Sequence, residues 1–511
     1  MTTTRPEVSS PSDVVAPLEG AAALPNTDRS TALDRSFASS IAWSGAGRWL
    51  TQIISWPATI IIARMLSPED YGLVVLVRVY TDFISRLTEA GLGSAVTIAP
   101  EMDDNRAGQL HTVSIMLGFA AVLGACAIAF PLARAYDRPG LQWVVFALSA
   151  IFVIEALGVV PNGLLRREFR YKTLAVADWV RSLVDIVVEL ILAFLGFGYW
   201  TLVLGYMAGA IAWQAVVLAS RPVRFRRVKL DDVRSTLRMM KHMVAQHVTN
   251  FTVSSSDVMI GARLVSSAAM GAYSFGAQLA SVPNAKVTSL VANVTPSLFR
   301  EVRNDLPLFR RYITLVNLAL SAAVLPAFVG IVVVASDFTS VVLGPKWMAI
   351  VIPLQLLALK AALDAAFAVF PQVLWATDHG RVVTRFGFLN LAILPPLFFL
   401  LGREYGVNGL AAAWFIGAPL VAIPRAYAAL RVVQMPVRSY LGSIWPAVSG
   451  SAVLVAAVLA TQHAVRIADW PVPVRLALSV IAGALAYGAT LWIFHRARLR
   501  EALTMLRIIR R

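Results

Sequence analysis

Apolar residues run along this chain in long unbroken stretches, with neither the alternation of a strand nor the narrow stripe of a soluble amphipathic helix. About fourteen stretches approach or exceed the roughly 20 residues needed to cross a bilayer. They lie at 37–63, 72–98, 110–133, 141–163, 173–195, 199–220, 240–262, 270–298, 312–335, 347–372, 383–401, 407–430, 441–463 and 473–495. Lipid offers no partner to a free backbone N–H or C=O, so runs of this length predict helices rather than barrel strands. The expected fold is an all-α polytopic membrane protein.

Polar segments divide the chain further. Residues 1–35 are rich in Pro, Ser, Thr and Ala and lack a basic segment beside an apolar core. They read as a disordered cytoplasmic tail rather than a cleaved leader. A basic linker at 221–239 separates two six-helix halves, 36–220 and 240–431. The last two stretches form an added pair within 432–495, and 496–511 is a basic cytoplasmic tail. With the N-terminus inside, Arg166, Arg167, Arg170, Lys172 and the cluster from Arg221 to Lys241 fall on the cytoplasmic side. The other side carries little beyond Arg64, Arg134, Arg138, Arg263, Lys346, Arg403 and Arg466. This asymmetry predicts an even helix count with both termini inside.

Composition narrows the function. Of 511 residues, 58% are apolar and 14% charged, against roughly 45–50% and 25% in an average soluble domain, which argues against a water-soluble enzyme. The net charge of +16 is accounted for by topology and anionic headgroups, without nucleic acid. One cysteine, Cys126, allows neither an intramolecular disulfide nor a cysteine metal cluster. The six histidines show no metal spacing, and none of the six lysines follows a glycine as a P-loop requires. No catalytic group, metal or cofactor is expected. Gly205 and Gly209 are spaced for close helix packing, and Tyr199, Trp200 and Trp347 fall where aromatic belts form.

The halves resemble each other. ARMLSPEDYG (Ala63 to Gly72) and ARLVSSAAMG (Ala262 to Gly271) share Ala, Arg, Ser and Gly at the same internal positions, 199 residues apart. VTIAP and VTPSLF, further on, keep the register to within one residue. Six intervening helices give both halves the same orientation, so they are parallel repeats with a path expected between them.

Charges within the stretches mark that path, because each is costly in lipid. At about 100° per residue, Ser44, Arg48, Thr51, Gln52 and Ser55 share an arc of the first stretch. Arg78, Asp82, Arg86 and Glu89 do so on the second, and Asp178, Arg181, Asp185 and Glu189 on the fifth. Gln246, Asn250, Ser254 and Asp257 line the seventh; Gln278, Lys286, Ser289 and Asn293 line the eighth. A plainer alternative is neutralisation within one helix, through the i,i+4 pairs Arg78/Asp82, Asp82/Arg86, Arg181/Asp185 and Lys360/Asp364.

Four segments carry a family resemblance: ARMLSPEDYGLVVLV (Ala63 to Val77), EAGLGSAV (Glu89 to Val96), NGLLRREFRYKTLA (Asn162 to Ala175) and GFGYWTLVLG (Gly196 to Gly205). Together they resemble the Wzx-type polysaccharide flippases of the multidrug/oligosaccharidyl-lipid/polysaccharide exporter superfamily, nearest to its colanic-acid and teichuronic-acid exporters. The similar stretches run from about Phe37 to Arg311. The resemblance implies two MATE/MurJ-like six-helix lobes working by alternating access in a bacterial cytoplasmic (inner) membrane. It also implies an undecaprenyl-pyrophosphate-linked oligosaccharide as cargo, with membrane lipids and polysaccharide polymerase and export machinery as partners.

A pyrophosphate needs cations, and Arg presents a planar fork to phosphate oxygens. Arg48, Arg78, Arg86 and Lys286 are the candidates for that headgroup. The peptidoglycan-lipid branch of the superfamily has cavity arginines on its first, second and eighth helices; the first three agree by helix, and Lys286 stands on the eighth. Gln52, Asn250 and Asn293 suit sugar hydroxyls, and Asp82, Asp178, Asp185, Glu189 and Asp257 are candidates for ion coupling. Two rival functions remain, a multidrug or metabolite antiporter of the same superfamily and a polytopic polysaccharide polymerase.

Overall fold

The computed structural model describes residues 55–88, 92–93, 96–97, 102–138, 140–229, 251–496 and 498, with the side chains of 86–88 and 282–297 outside that description. A helix at 55–65 (α1) turns through Leu66 and Ser67 into Pro68–Thr88 (α2). Asp104–Ala135 (α3), Leu141–Arg167 (α4), Tyr171–Phe194 (α5) and Trp200–Ser220 (α6) complete the first half. The second half repeats this order with 251–264 (α7), Ser267–Val302 (α8), Leu306–Phe338 (α9), Val351–Phe367 (α10), Val369–Ala376 (α11) and Gly380–Val432 (α12). Val437–Ile467 (α13) and Val472–Phe494 (α14) follow.

Eight helical segments among the described residues are long and apolar enough to cross a membrane. Their polar ends are set by local chemistry. Asp103 caps α3 by accepting from the Arg106 N–H at 2.8 Å, and Asp305 caps α9 through Leu308 N–H at 3.1 Å. Ser67 and Asp70 cap α2 reciprocally, the Ser67 N–H donating to Asp70 and the Asp70 N–H to Ser67 Oγ. Ser266 stands at the same repeat position and caps α8 through the Ala269 N–H at 3.2 Å. The stretches expected at 383–401 and 407–430 are two helices within α12 that fold back on each other at Gly406, where φ 58° and ψ −136° suit glycine, and Phe398 meets Trp414 across the turn at 5.1 Å between ring centroids.

Helices α3 to α6 pack with one another, as do α9 to α12, and the halves meet chiefly where α2 lies on α8. One apolar core crosses this junction, joining Ile62, Leu66, Tyr71 and Leu148 to Tyr273, Phe275, Leu343 and Trp347. A second, of Phe299, Phe309, Phe328, Phe370 and Tyr440, lies within the second half and reaches α13. Trp347 corrects the expectation of a belt aromatic: it is fully buried and donates to the Ala63 carbonyl at 2.8 Å. Outward-facing apolar side chains such as Leu123, Phe194, Leu485 and Phe494 remain for lipid.

The added pair is anchored to α9. Arg475 on α14 grips Asp337 with two hydrogen bonds, 2.9 and 2.6 Å, while Tyr487 O–H donates to the Ala322 carbonyl at 2.6 Å. Asn317 donates to Ser443 on α13 at 2.8 Å. Arg475→Ala leaves the buried Asp337 carboxylate without its cation, a loss of about 3 kcal/mol. Thermal unfolding of the purified variant should start several degrees earlier than in the wild type; an unchanged transition would mean that the pair adds nothing.

Candidate functional site

Helices α2, α4, α5 and α6 enclose a cavity of about 430 Å³ in the first half. Its wall carries three cations, Arg78, Arg166 and Arg181, and three carboxylates, Asp82, Glu155 and Asp178. Tyr206 stands between two of the arginines: Arg78 lies 4.4 Å from the ring centroid and Arg181 5.3 Å. A cation over an aromatic face is held by the ring quadrupole. Among the described residues, neither Arg78/Asp82 nor Arg181/Asp185 closes into an ion pair, whereas Lys360/Asp364 does so at 2.6 Å.

Neutral groups complete the wall. Trp213 donates its indole N–H to Asp178 Oδ1 at 2.9 Å, Arg166 donates to Asn162 Oδ1 at 3.1 Å, and Gln214 Nε2 donates to the Glu155 carbonyl at 3.4 Å. Gln214 Oε1 and Ser85 Oγ are buried and have no hydrogen-bond partner among the described residues. Unsatisfied buried acceptors and donors are costly, and both border the cavity. Gly158 makes this arrangement possible, because a Cβ there would collide with the Gln214 amide. The site therefore offers cations, carboxylates, amides and aromatic faces within a membrane-embedded wall.

The candidates from the sequence are distributed as follows. Arg78, Asp82 and Asp178 line the cavity. Asp185 and Glu189 lie about two and three turns beyond Asp178 along α5 and pack on Gly209 and Gly205 of α6, as the glycine spacing predicts. Asp185, Glu189 and Asp82 all act on Arg78 through their charge. Asp257 lies elsewhere, buried in the second half, accepting from Tyr273 O–H at 2.6 Å and Trp414 N–H at 2.9 Å. Lys360 lies 4.5 Å from the Trp414 ring centroid. Arg86, Lys286 and Asn293 are helical, with side chains outside the described residues, and Arg48, Gln52 and Asn250 lie outside them altogether. Tyr206, Trp213, Asn162 and Gln214 are not singled out by the sequence, and Arg166, there only a cytoplasmic-side cation, lines the cavity. The available signal was Tyr206 and Trp213, seven residues apart on one face of an otherwise apolar helix.

A bundle of membrane-length helices around a polar cavity is the build of a multi-pass α-helical membrane protein. Residues 61–352 match the model of the family described as polysaccharide biosynthesis protein, and the chain belongs to that family. It is 25% identical over 344 residues to the succinoglycan biosynthesis transport protein ExoT of Rhizobium meliloti (strain 1021), covering 67% of this chain and 70% of that one. It is 22% identical over 486 residues to the teichuronic acid biosynthesis protein TuaB of Bacillus subtilis (strain 168), covering 89% and 95%. Among solved structures, the lipid II flippase MurJ in an inward closed conformation superposes with a TM-score of 0.71 at 13% identity, covering 89% of this chain and 99% of that one. The fold is thus MurJ-like.

Proposed function

We propose that the protein is a flippase that carries an undecaprenyl-pyrophosphate-linked oligosaccharide from the cytoplasmic to the outer leaflet of a bacterial inner membrane. The product would feed the assembly of a surface polysaccharide: exopolysaccharide, capsule or O-antigen. The observation that carries this reading is the pair of arginines, Arg78 and Arg181, presented on Tyr206 inside a membrane-embedded cavity. Buried guanidiniums suit a pyrophosphate, and the carboxylates and amides around them suit sugar hydroxyls. The family match and the relatives in succinoglycan and teichuronic acid biosynthesis support a glycan cargo.

In this reading the chain crosses the membrane fourteen times with both termini inside, and its two lobes alternate access. Arg48, Arg86 and Lys286 join Arg78 at the headgroup, Gln52, Asn250 and Asn293 contact sugar, and Asp82, Asp178, Asp185, Glu189 and Asp257 are the candidates for ion coupling. A strain lacking the protein should accumulate the lipid-linked oligosaccharide on the inner leaflet, read with a probe confined to the outer surface. Wild-type protein should relieve this, and Arg48→Ala, at equal membrane level, should not. Intermediate that reaches the outer leaflet without the protein yet stays unpolymerised would replace this reading with the polymerase one. Lost drug tolerance with intact surface polysaccharide would replace it with the antiporter.

A further inference from the structure

The two repeats exchange contacts where they meet. The carbonyls at the end of α1 are bound by the second half: Lys346 Nζ donates to Arg64 and Leu66 carbonyls, each at 2.6 Å, and Trp347 Nε1 to Ala63 at 2.8 Å. Those at the end of α7 are bound by the first half, where Arg138 Nη2 donates to Val265 at 2.7 Å and Ala262 at 3.3 Å. Ala63 and Leu66 correspond to Ala262 and Val265 at the 199-residue offset of the repeats. The helix-end arginines are exchanged too. Arg64 donates to the Val341 and Val342 carbonyls, and its counterpart Arg263 lies 5.5 Å from the Tyr136 ring centroid.

The last carbonyls of a helix have no intrahelical donor and carry the negative end of its dipole, so a cation from outside satisfies both. Here each half supplies that cation to the other. Beneath these contacts, Tyr71 of the first half meets Phe275 and Trp347 of the second at 5.1 and 5.4 Å between ring centroids. Gly72 and Gly271 bring α2 and α8 backbone to backbone.

We infer that Arg138 on one half and Lys346 with Trp347 on the other form a reciprocal latch that seals the end of the transport path opposite the basic linker. It must release for cargo to leave. The contacts are all between the halves, so lobe separation at this end breaks every one of them, and separation elsewhere breaks none. Their acceptors are backbone carbonyls, so the latch depends on the donor side chains alone. This inference rests on alternating access of two lobes and not on the nature of the cargo.

Spin labels at Arg134→Cys and Arg403→Cys, both exposed at this end, in a Cys126→Ser background, report the separation by double electron–electron resonance. Protein in nanodiscs of phosphatidylethanolamine and phosphatidylglycerol, without cargo, should show one short-distance population. Arg138→Gln with Lys346→Gln should add a longer one, its share rising about tenfold for each latch lost, as expected for charge-assisted hydrogen bonds. Arg138→Lys, which keeps the charge, should restore part of the short population. An unchanged distribution in monodisperse double variant would overturn the latch. If the double variant is not recovered, the single variants carry the test: each should show part of the shift, and no shift in either overturns it equally. Because no cargo is present, the outcome stands apart from that of the flippase reading.

Discussion

Alanine at Gly72 should abolish export and lower the stability of the purified protein. A Cβ there would run into the Ser267 carbonyl of α8 and lie 3.0 Å from the Gly271 nitrogen. The obstacle is backbone against backbone, with no flexible side chain to yield. Overpacking of this kind costs about 3 kcal/mol, which disfavours the closed junction by more than about a hundredfold. The contact is reciprocal: a Cβ at Gly271 would run into the Pro68 carbonyl and lie 2.7 Å from the Gly72 nitrogen. Gly271→Ala should therefore match Gly72→Ala in size. Gly124 and Gly330 have open space where a Cβ would stand, and alanine at either should leave both properties unchanged. Surface polysaccharide in a complemented deletion strain, together with thermal unfolding, reads all four; wild-type export from Gly72→Ala would mean that the lobes do not need this approach.

Arg78→Ala should be the most damaging single change within the cavity. Arg78 loses its stack on Tyr206, and the charges of Asp82, Asp185 and Glu189 lose the cation on which they act. Removing that charge also disfavours the partly buried carboxylates, so this variant tests stability and binding together. Arg78→Lys separates them. It keeps the charge that the carboxylates require and removes the planar fork and its stacking face. The expected outcome is a folded, membrane-inserted protein whose export falls at least about tenfold, the equivalent of one lost charge-assisted hydrogen bond. Full export by Arg78→Lys would show that Arg78 serves only to balance its neighbours.

Much of the fold was legible because the bilayer imposes a long apolar run on every crossing helix. The stretch expected at 199–220 is Trp200–Ser220, and that at 110–133 lies within Asp104–Ala135. The repeat was legible as four shared residues, and those same segments form the reciprocal contacts between the halves. The partners of those segments were not legible. Arg138 and Lys346 look like any loop cation, and periodicity within one helix says nothing of which distant carbonyl a side chain will reach. Trp347 was placed at the membrane surface for the same reason, since an aromatic beside a loop serves a belt and a buried junction equally well. In the cavity, charge drew attention to α2 and α5, while α6 supplied Tyr206, Trp213 and Gln214 without a single charged residue. Asp178 and Asp185 share an arc of α5, yet one faces the cavity and the other packs on Gly209.

Direct transbilayer movement of the cargo tests the central claim. Purified protein in liposomes would be given undecaprenyl pyrophosphate bearing a fluorescent oligosaccharide, and the fraction exposed on each leaflet followed with a membrane-impermeant quencher. The flippase account predicts exchange far faster than in protein-free liposomes, and its loss in the folded Arg78→Lys variant. Exchange no faster than in empty liposomes, from protein shown to be inserted and monodisperse, would contradict it.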